Sequence, residues 1–472
     1  MNYGLIGEHL PHSFSAEIHG EIGRFTSNEY EYEIKELKPS EVDGFMLKKD
    51  FKGINVTIPY KETVIPYLDH IDDAAKEIGA VNTIVGRDGK LFGYNTDFYG
   101  LKDLILHAGI DLKGKKVLIL GTGGTSKTAR YVCKDLGAGK IIVVSRSHKN
   151  AKATGSGNGL INTGDKRIAG DHLPDLAIYT DYDEVYLKHT DADVIINTTP
   201  VGMYPNDGKT AIDPDRFDRL TGVIDVIYNP LKTALIRRAE KRNIKCAGGL
   251  RMLVTQAVYA YCLFMDISLS DKENVTGFTG INDGDSKSVL SAKSDESIEK
   301  IVENVYSKIR ANKQNIVLIG MPGCGKTTVG RRLADKYGKE FIDTDEMIVN
   351  NEGRQITDIF ASDGEEYFRD LESEAIALAS SKGGRVIATG GGAILRNKNV
   401  DALRSNGLLI FLDRPLNDLL PTADRPLASD REMIKKRYEE RYDIYRSVCD
   451  IRVTDTDETE SRYEQYMANA VG

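Results

Sequence analysis

The run Ile316-Val-Leu-Ile-Gly320-Met-Pro-Gly323-Cys324-Gly325-Lys326-Thr327 constrains the fold more than any other feature of this chain. A buried-strand run enters a glycine-rich turn bearing lysine and threonine, and a helical pattern follows. The spacing GxxxxGK[ST] between a strand and a helix demands an α/β sheet with its glycine loop at a strand end. Loop N–H groups there would wrap phosphates, Lys326 would neutralise the β and γ oxygens, and the Thr327 hydroxyl would ligate magnesium. Gly323, Cys324, Gly325, Lys326, Thr327 and Thr328 are therefore the expected nucleotide contacts.

A second junction of this kind stands earlier. Lys116-Val-Leu-Ile-Leu runs into Gly121-Thr-Gly123-Gly124-Thr125-Ser126 and then a helical pattern through Leu136. Glycines let the backbone approach a pyrophosphate while the helix N-terminus supplies unpaired N–H groups. Ser126 replaces the usual third glycine, a small residue that still permits close helix packing. The next strand ends in Ser145-Arg146-Ser147, where a dinucleotide fold reads the adenosine ribose. An acidic residue there would accept from a 2′-hydroxyl. Arg146, with Ser145, Ser147 and Lys149, instead suits a 2′-phosphate, which favours NADP over NAD. The bland alternatives are a tight strand–helix turn and a solvated arginine.

At 472 residues the chain has room for two to four domains. Short β-branched runs alternate with helical periodicity through two tracts, the pattern of parallel sheets with crossover helices. Strands are expected at Tyr3–Ile6, Glu31–Ile34, Ile54–Ile58 and Val81–Val85, then a helix from Asp97. Further strands are expected at Lys116–Leu120, Lys140–Val144, Val194–Asn197 and Val223–Val226, with one apolar helix, Leu250–Phe264, folding back onto the first unit. Gly155–Gly170 reads as a surface loop and Ser268–Lys293 as an interdomain linker. In Ser294–Arg310 the residues Ile298, Ile301, Val302, Val305 and Ile309 share a helical face, fitting a docking helix or one that merely leads into the next domain.

Composition removes several functions. A net charge of -8 without a basic stripe argues against nucleic acid as the partner. No run is long and apolar enough for a membrane helix, and Met1–Leu10 lacks signal-peptide blocks, so a cytoplasmic protein acting on small molecules is expected. Five scattered cysteines without CxxC suit a reducing compartment. All eight histidines precede residue 190, so chemistry beyond that point proceeds without imidazole. Nothing in the pattern reports an oligomeric state.

Polar residues crowd the strand ends of the first unit: His12-Ser13-Phe14-Ser15, Asn55-Val-Thr57, Lys61, Asn82 and Asn95-Thr96-Asp97. Individually, Ser15 and Asp97 could be helix N-caps, Asn82 a turn residue and Lys61 a solvated charge. Together, HSFSAEIH, GINVTIPYK, GAVNTI, GYNTD, the glycine loop, NTTPVGM, DVIYNP and GGLRMLVTQA resemble shikimate dehydrogenase, in order, over about residues 1–265. The resemblance implies that Ser13 and Ser15 hold the substrate carboxylate, and that Asn55, Thr57, Asn82 and Gln256 bind ring hydroxyls. It makes Lys61 and Asp97 the catalytic pair, and it sets Tyr228, Met203 and Gly249 along the nicotinamide cleft.

The later tract carries Phe341-Ile-Asp343-Thr-Asp345, Phe368-Arg369-Asp-Leu-Glu372, Gly390-Gly391-Gly392, Asp424-Arg425-Pro-Leu and Arg441-Tyr-Asp-Ile-Tyr445, which look like the ordered motifs of shikimate kinase over roughly 313–472. That resemblance places Asp343 near Mg2+, gives Asp345 the substrate hydroxyl proton, and has Arg369 and Arg441 clamp the carboxylate. Gly390–Gly392 would allow close backbone approach, and Arg425 would swing in on a lid, Pro421–Asp430, over the ATP phosphates.

The implied architecture is α/β throughout. A substrate-binding domain (1–108, completed by helix 249–267) precedes a Rossmann-like NADP-binding domain (109–248), a linker and docking helix (268–312), and a P-loop kinase domain with a parallel sheet (313–472). The expected function is reduction of 3-dehydroshikimate with NADPH, then phosphorylation of shikimate with ATP. The alternatives are a first half acting on quinate or a related alicyclic acid, and a metabolite-sensing regulator built on decayed enzyme domains.

Overall fold

The computed structural model describes residues 1–10, 13–146, 177–267, 294–419 and 431–469. His12, Ser147, Lys149, the Gly155–Gly170 stretch, the Ser268–Lys293 segment and the Pro421–Asp430 segment with Arg425 lie outside the described residues. The chain divides into two compact units: Met1–Val201 with Thr210–Tyr228 and Arg238–Ile309, and Arg310–Gly472 with Gly202–Lys209 and Asn229–Arg237.

The first unit holds two sheets. One contains β1 (Tyr3–Gly7), β2 (Tyr32–Glu36), β3 (Gly53–Val56), β4 (His70–Ile71), β5 (Thr83–Arg87) and β6 (Lys90–Tyr94), ordered β2-β1-β3-β5-β6-β4. This sheet is mixed, which corrects the expectation of parallel pairing throughout. β5 runs antiparallel to both β3 and β6. The reason is local: Asp88 and Gly89 both take positive φ, giving the two-residue turn that matches strand twist and folds β6 straight back on β5. β3 also stops at Val56, two residues short of the expected Ile58, so Thr57 lies beyond the strand end. Ile6, Ile54 and Ile84 fill the core beneath one face. On the other, helix Leu250–Phe264 lies against the sheet, with Leu263 and Phe264 packed on Val85.

The other sheet contains β7 (Lys116–Leu120), β8 (Lys140–Val144), β9 (Ala177–Thr180), β10 (Val194–Asn197), β11 (Gly222–Asp225) and β12 (Lys245–Gly248), all parallel in the order β12-β11-β10-β7-β8-β9. Strand order reverses at β7, which leaves a crevice beyond the C-terminal ends of β7 and β10. The Gly121 loop sits there. Helix Ser294–Lys313 buries Ile298, Ile301, Val302, Val305 and Ile309, and its residues through Ile309 cluster with this first unit.

The second unit is built on β13 (Asn315–Ile319), β14 (Glu340–Asp343), β15 (Arg385–Ala388), β16 (Gly407–Leu412) and β17 (Ile451–Val453), ordered β14-β15-β13-β16-β17 and parallel throughout. Its central strand, NIVLI, is buried at every position, as a strand covered on both faces must be. The Gly320–Thr327 loop leaves the C-terminal end of β13, beside the ends of β14 and β15.

Candidate active sites

In the first unit, Lys61 Nζ donates to Asp97 Oδ2 at 2.6 Å, with side chains only 15% and 11% exposed. Asp97 opens helix Asp97–His107, so its carboxylate stands at the positive end of that helix. Neither Asp97 nor Ser15 is an N-cap. Thr96 and Phe14 occupy those positions, without side-chain cap bonds.

A buried amide–hydroxyl network lies beside the pair. The Thr96 N–H donates to Asn82 Oδ1 at 2.7 Å, and because that donor cannot be reversed it sets the Asn82 amide: Nδ2 then donates to Thr96 Oγ1 at 3.1 Å. Thr96 Oγ1 also reaches Gln256 Oε1 at 3.4 Å, while Asn55 donates to Thr83 Oγ1 at 3.0 Å and accepts from Tyr32 OH at 2.7 Å. The structure thus links Asn55, Asn82 and Gln256 through Thr83 and Thr96; Thr96 belongs to the polar set read from the sequence, whereas Thr83, and Tyr32 on Asn55, do not. His19 stacks on Tyr32 with ring centroids 3.8 Å apart, and burial pushes its pKa down to about 3. Ser13 Oγ accepts from the Ser15 N–H, and Phe14 between them lies 5.1 Å from the Tyr228 ring. Burial raises the Tyr228 phenol above its usual pKa.

The glycine loop faces this constellation. A Cβ built on Gly124 would lie 3.7 Å from Lys61 Cδ, and Lys127 pairs with Glu62 at 2.8 Å. Gly121, at φ +104, takes a conformation that L side chains rarely adopt, and Ser126 Oγ donates to its carbonyl at 2.7 Å, closing the loop. Gly123 is exposed and Thr125 half-buried at the start of helix Gly124–Asp135. Ser145 is buried and Arg146 exposed beyond β8, which neighbours β7. Gly249 lies under Val226, whose carbonyl oxygen would be 2.0 Å from an added Cβ. Met203 is 45% exposed.

In the second unit, Lys326 Nζ, buried, donates to the carbonyls of Gly320 and Met321 at 2.8 and 2.9 Å. Thr327 Oγ1 donates to Asp343 Oδ2 at 2.9 Å, and Asp343 Oδ1 accepts from the Asp345 N–H at 3.0 Å. Thr328 is exposed on the first turn of the following helix. Three glycines line the neighbouring cleft, each by close approach: an added Cβ would fall 2.6 Å from Asp345 Oδ1 at Gly390, 2.7 Å from Pro322 Cδ at Gly391, and 2.0 Å from Arg369 Nη1 at Gly392. Arg369 is held by Glu372 at 2.8 Å and Glu365 at 2.9 Å, whereas Arg441 donates to the Gly391 carbonyl at 2.9 Å. Glu372 is 1% exposed, and burial raises its pKa although Arg369 opposes the shift. Its other oxygen has no hydrogen-bond partner among the described residues and would stand 2.8 Å from a Cβ on Gly390.

Comparison with known proteins decides the family. A shikimate dehydrogenase (NADP(+)) of Clostridium beijerinckii is 37% identical over 274 residues, covering 57% of this chain and 94% of that protein. The chain belongs to the shikimate dehydrogenase family. A relative of the same name from Halothermothrix orenii is 39% identical over 270 residues, covering 56% of this chain and 90% of that protein. The crystal structure of shikimate dehydrogenase 1 from Peptoclostridium difficile is 33% identical, covers 65% of this chain and 98% of its own, and superposes with a TM-score of 0.51. Residues 5–84 match the shikimate dehydrogenase substrate binding domain, and residues 322–471 match shikimate kinase. The chain therefore joins a shikimate dehydrogenase part to a C-terminal shikimate kinase domain. Among the described residues, no helix is long and apolar enough to cross a membrane.

Proposed function

We infer that this chain is a bifunctional shikimate-pathway enzyme: one half reduces 3-dehydroshikimate to shikimate with NADPH, and the other phosphorylates shikimate to shikimate 3-phosphate with ATP. The observation that carries the pairing is that both matched families are named for the same compound, so the product of one site is the substrate of the other.

In the dehydrogenase half, NADPH supplies the hydride. Lys61 Nζ, hydrogen-bonded to Asp97, then stands to protonate the substrate oxygen as the carbonyl is reduced, and Asp97 orients the ammonium and accepts from a ring hydroxyl. Asn55, Thr57, Asn82 and Gln256 bind hydroxyls, Ser13 and Ser15 the carboxylate, with Tyr228, Met203 and Gly249 along the cleft. Gly121, Gly123, Gly124, Thr125 and Ser126 hold the pyrophosphate, and Ser145, Arg146 and Ser147 the 2′-phosphate.

In the kinase half the residues from Gly323 to Thr328 hold ATP, Asp345 accepts the proton of the attacking hydroxyl, and Arg369 and Arg441 fix the carboxylate against Gly390–Gly392. Thr327 and Asp343 offer hard oxygen donors 2.9 Å apart, a fit for Mg2+, which keeps most of its shell for water and phosphate. When bound, Mg2+ neutralises charge on the transferring phosphates. We assign 1–108 with 249–267 to substrate binding, 109–248 to NADP, 268–312 to linker and docking helix, and 313–472 to the kinase. A cytoplasmic location accords with five free cysteines.

The test supplies 3-dehydroshikimate, NADPH, ATP and Mg2+ together, then omits each nucleotide. Shikimate accumulating without ATP, and no product forming without NADPH, is the expected result. Absence of shikimate 3-phosphate from the complete mixture overturns the reading.

A further inference from the structure

Helix Arg431–Val448 buries Ile434, Arg441 and Tyr445 on one face. Arg437 lies on that face, three residues after Ile434 and four before Arg441, and is half-buried. Its charged surroundings are Arg441, Glu365, Glu440 and Arg369. Of these, Glu365 is already paired to Arg369, whose other nitrogen is held by Glu372. Among the described residues neither Arg437 nor Arg441 has an ion-pair partner, and Arg441 spends its bond on a neutral carbonyl. Burial and the neighbouring Arg441 both lower the Arg437 pKa. Like charges at i and i+4 weaken a helix, and desolvation adds to the cost, so the arrangement stores an unmet demand for an anion.

We propose that Arg437 is a third guanidinium of the kinase acceptor site, a specificity-determining residue that binds the carboxylate of the phosphoryl acceptor together with Arg369 and Arg441. It selects acceptors that are carboxylate anions over neutral polyols of the same shape. The proposal rests on the shikimate kinase reading and deepens it by adding a residue that the motifs did not mark.

The test measures kinase kinetics of the full chain for Arg437→Gln, Arg437→Lys and Lys436→Gln, the last removing the same charge from an exposed position one residue away. Arg437→Gln should raise the KM for shikimate about 10-fold, the worth of one charge-assisted hydrogen bond. KM for ATP, kcat and dehydrogenase turnover should stay within about twofold, Arg437→Lys should recover part of the loss, and Lys436→Gln should match wild type. An unchanged shikimate KM in Arg437→Gln, or an equal rise in Lys436→Gln, overturns the proposal. If Arg437→Gln proves inactive, a kcat defect in Arg437→Lys without a shikimate KM defect overturns it as well. Failure of the wild-type chain to phosphorylate shikimate at all would instead remove the underlying assignment.

Discussion

Arg251 is a buried cation held by two carboxylates in the dehydrogenase half. Its side chain is 4% exposed, its fork meets Asp103 at 2.8 and 3.2 Å, and its remaining nitrogen meets Glu303 from helix Ser294–Lys313. Burial opposes its charge, and the bonds and fields of Asp103 and Glu303 outweigh that, raising its pKa. Replacing Glu303 by Ala leaves the buried guanidinium with one carboxylate in place of two. Stripping a buried ion of its whole partnership costs about 3–5 kcal/mol, and because Asp103 remains, a loss of about 2 kcal/mol is expected. For a unit of this size that corresponds to a fall in Tm of about 5 °C. Scanning calorimetry of the full chain reads it, with the dehydrogenase transition identified by its upward shift in shikimate and NADP+. Arg251→Met and the double variant complete a cycle in which the two side chains should couple by about 1.5 kcal/mol. Coupling below about 0.5 kcal/mol would refute the claim that this helix is tied to the dehydrogenase through Arg251.

Lys61→Ala should abolish reduction while kinase turnover stays near wild type, and Lys326→Ala should do the reverse; joint loss in either variant would show that the sites are not independent. Gly392→Ala drives a methyl group onto Arg369 Nη1, so kinase activity should fall by more than 10-fold with reduction intact, read by parallel assays, and normal kinase turnover would contradict the close approach. His19 remains neutral in the fold with a pKa of about 3, against about 6.5 in the unfolded chain. Its contribution is complete above pH 6.5 and is lost as pH falls from there toward 3, amounting to about 1.4 kcal/mol at pH 5.5. His19→Phe should therefore flatten the decline in dehydrogenase Tm between pH 7.5 and 5.5, and an unaltered slope would clear His19 of that role.

Both glycine loops are legible because the feature is local: a strand, a tight turn and a helix start occupy about twelve consecutive residues. The β5–β6 hairpin also has a local signal, Asp88-Gly89 between two short runs, but the strand expected at Val81–Val85 leaves Lys90–Tyr94 unassigned. The Asn82 network is different in kind. Thr83 and Thr96 have ordinary roles as strand and cap residues, and nothing within a few positions shows that the Thr96 N–H sets the Asn82 amide or that the two hydroxyls bond Asn55 and Gln256.

By itself, the order of residues in this chain determined two strand–glycine loop–helix junctions, the polar groups near them and their kinship, since each depends on neighbours along the backbone. Tertiary structure alone decided which charges are satisfied. Arg251 is bound by carboxylates from two other helices, Lys61 by Asp97 at the start of a distant helix, and Arg441 by the Gly391 carbonyl of another segment. The reason is physical: the cost of a charge depends on its burial and on its partners, and both are set by segments that only folding brings together.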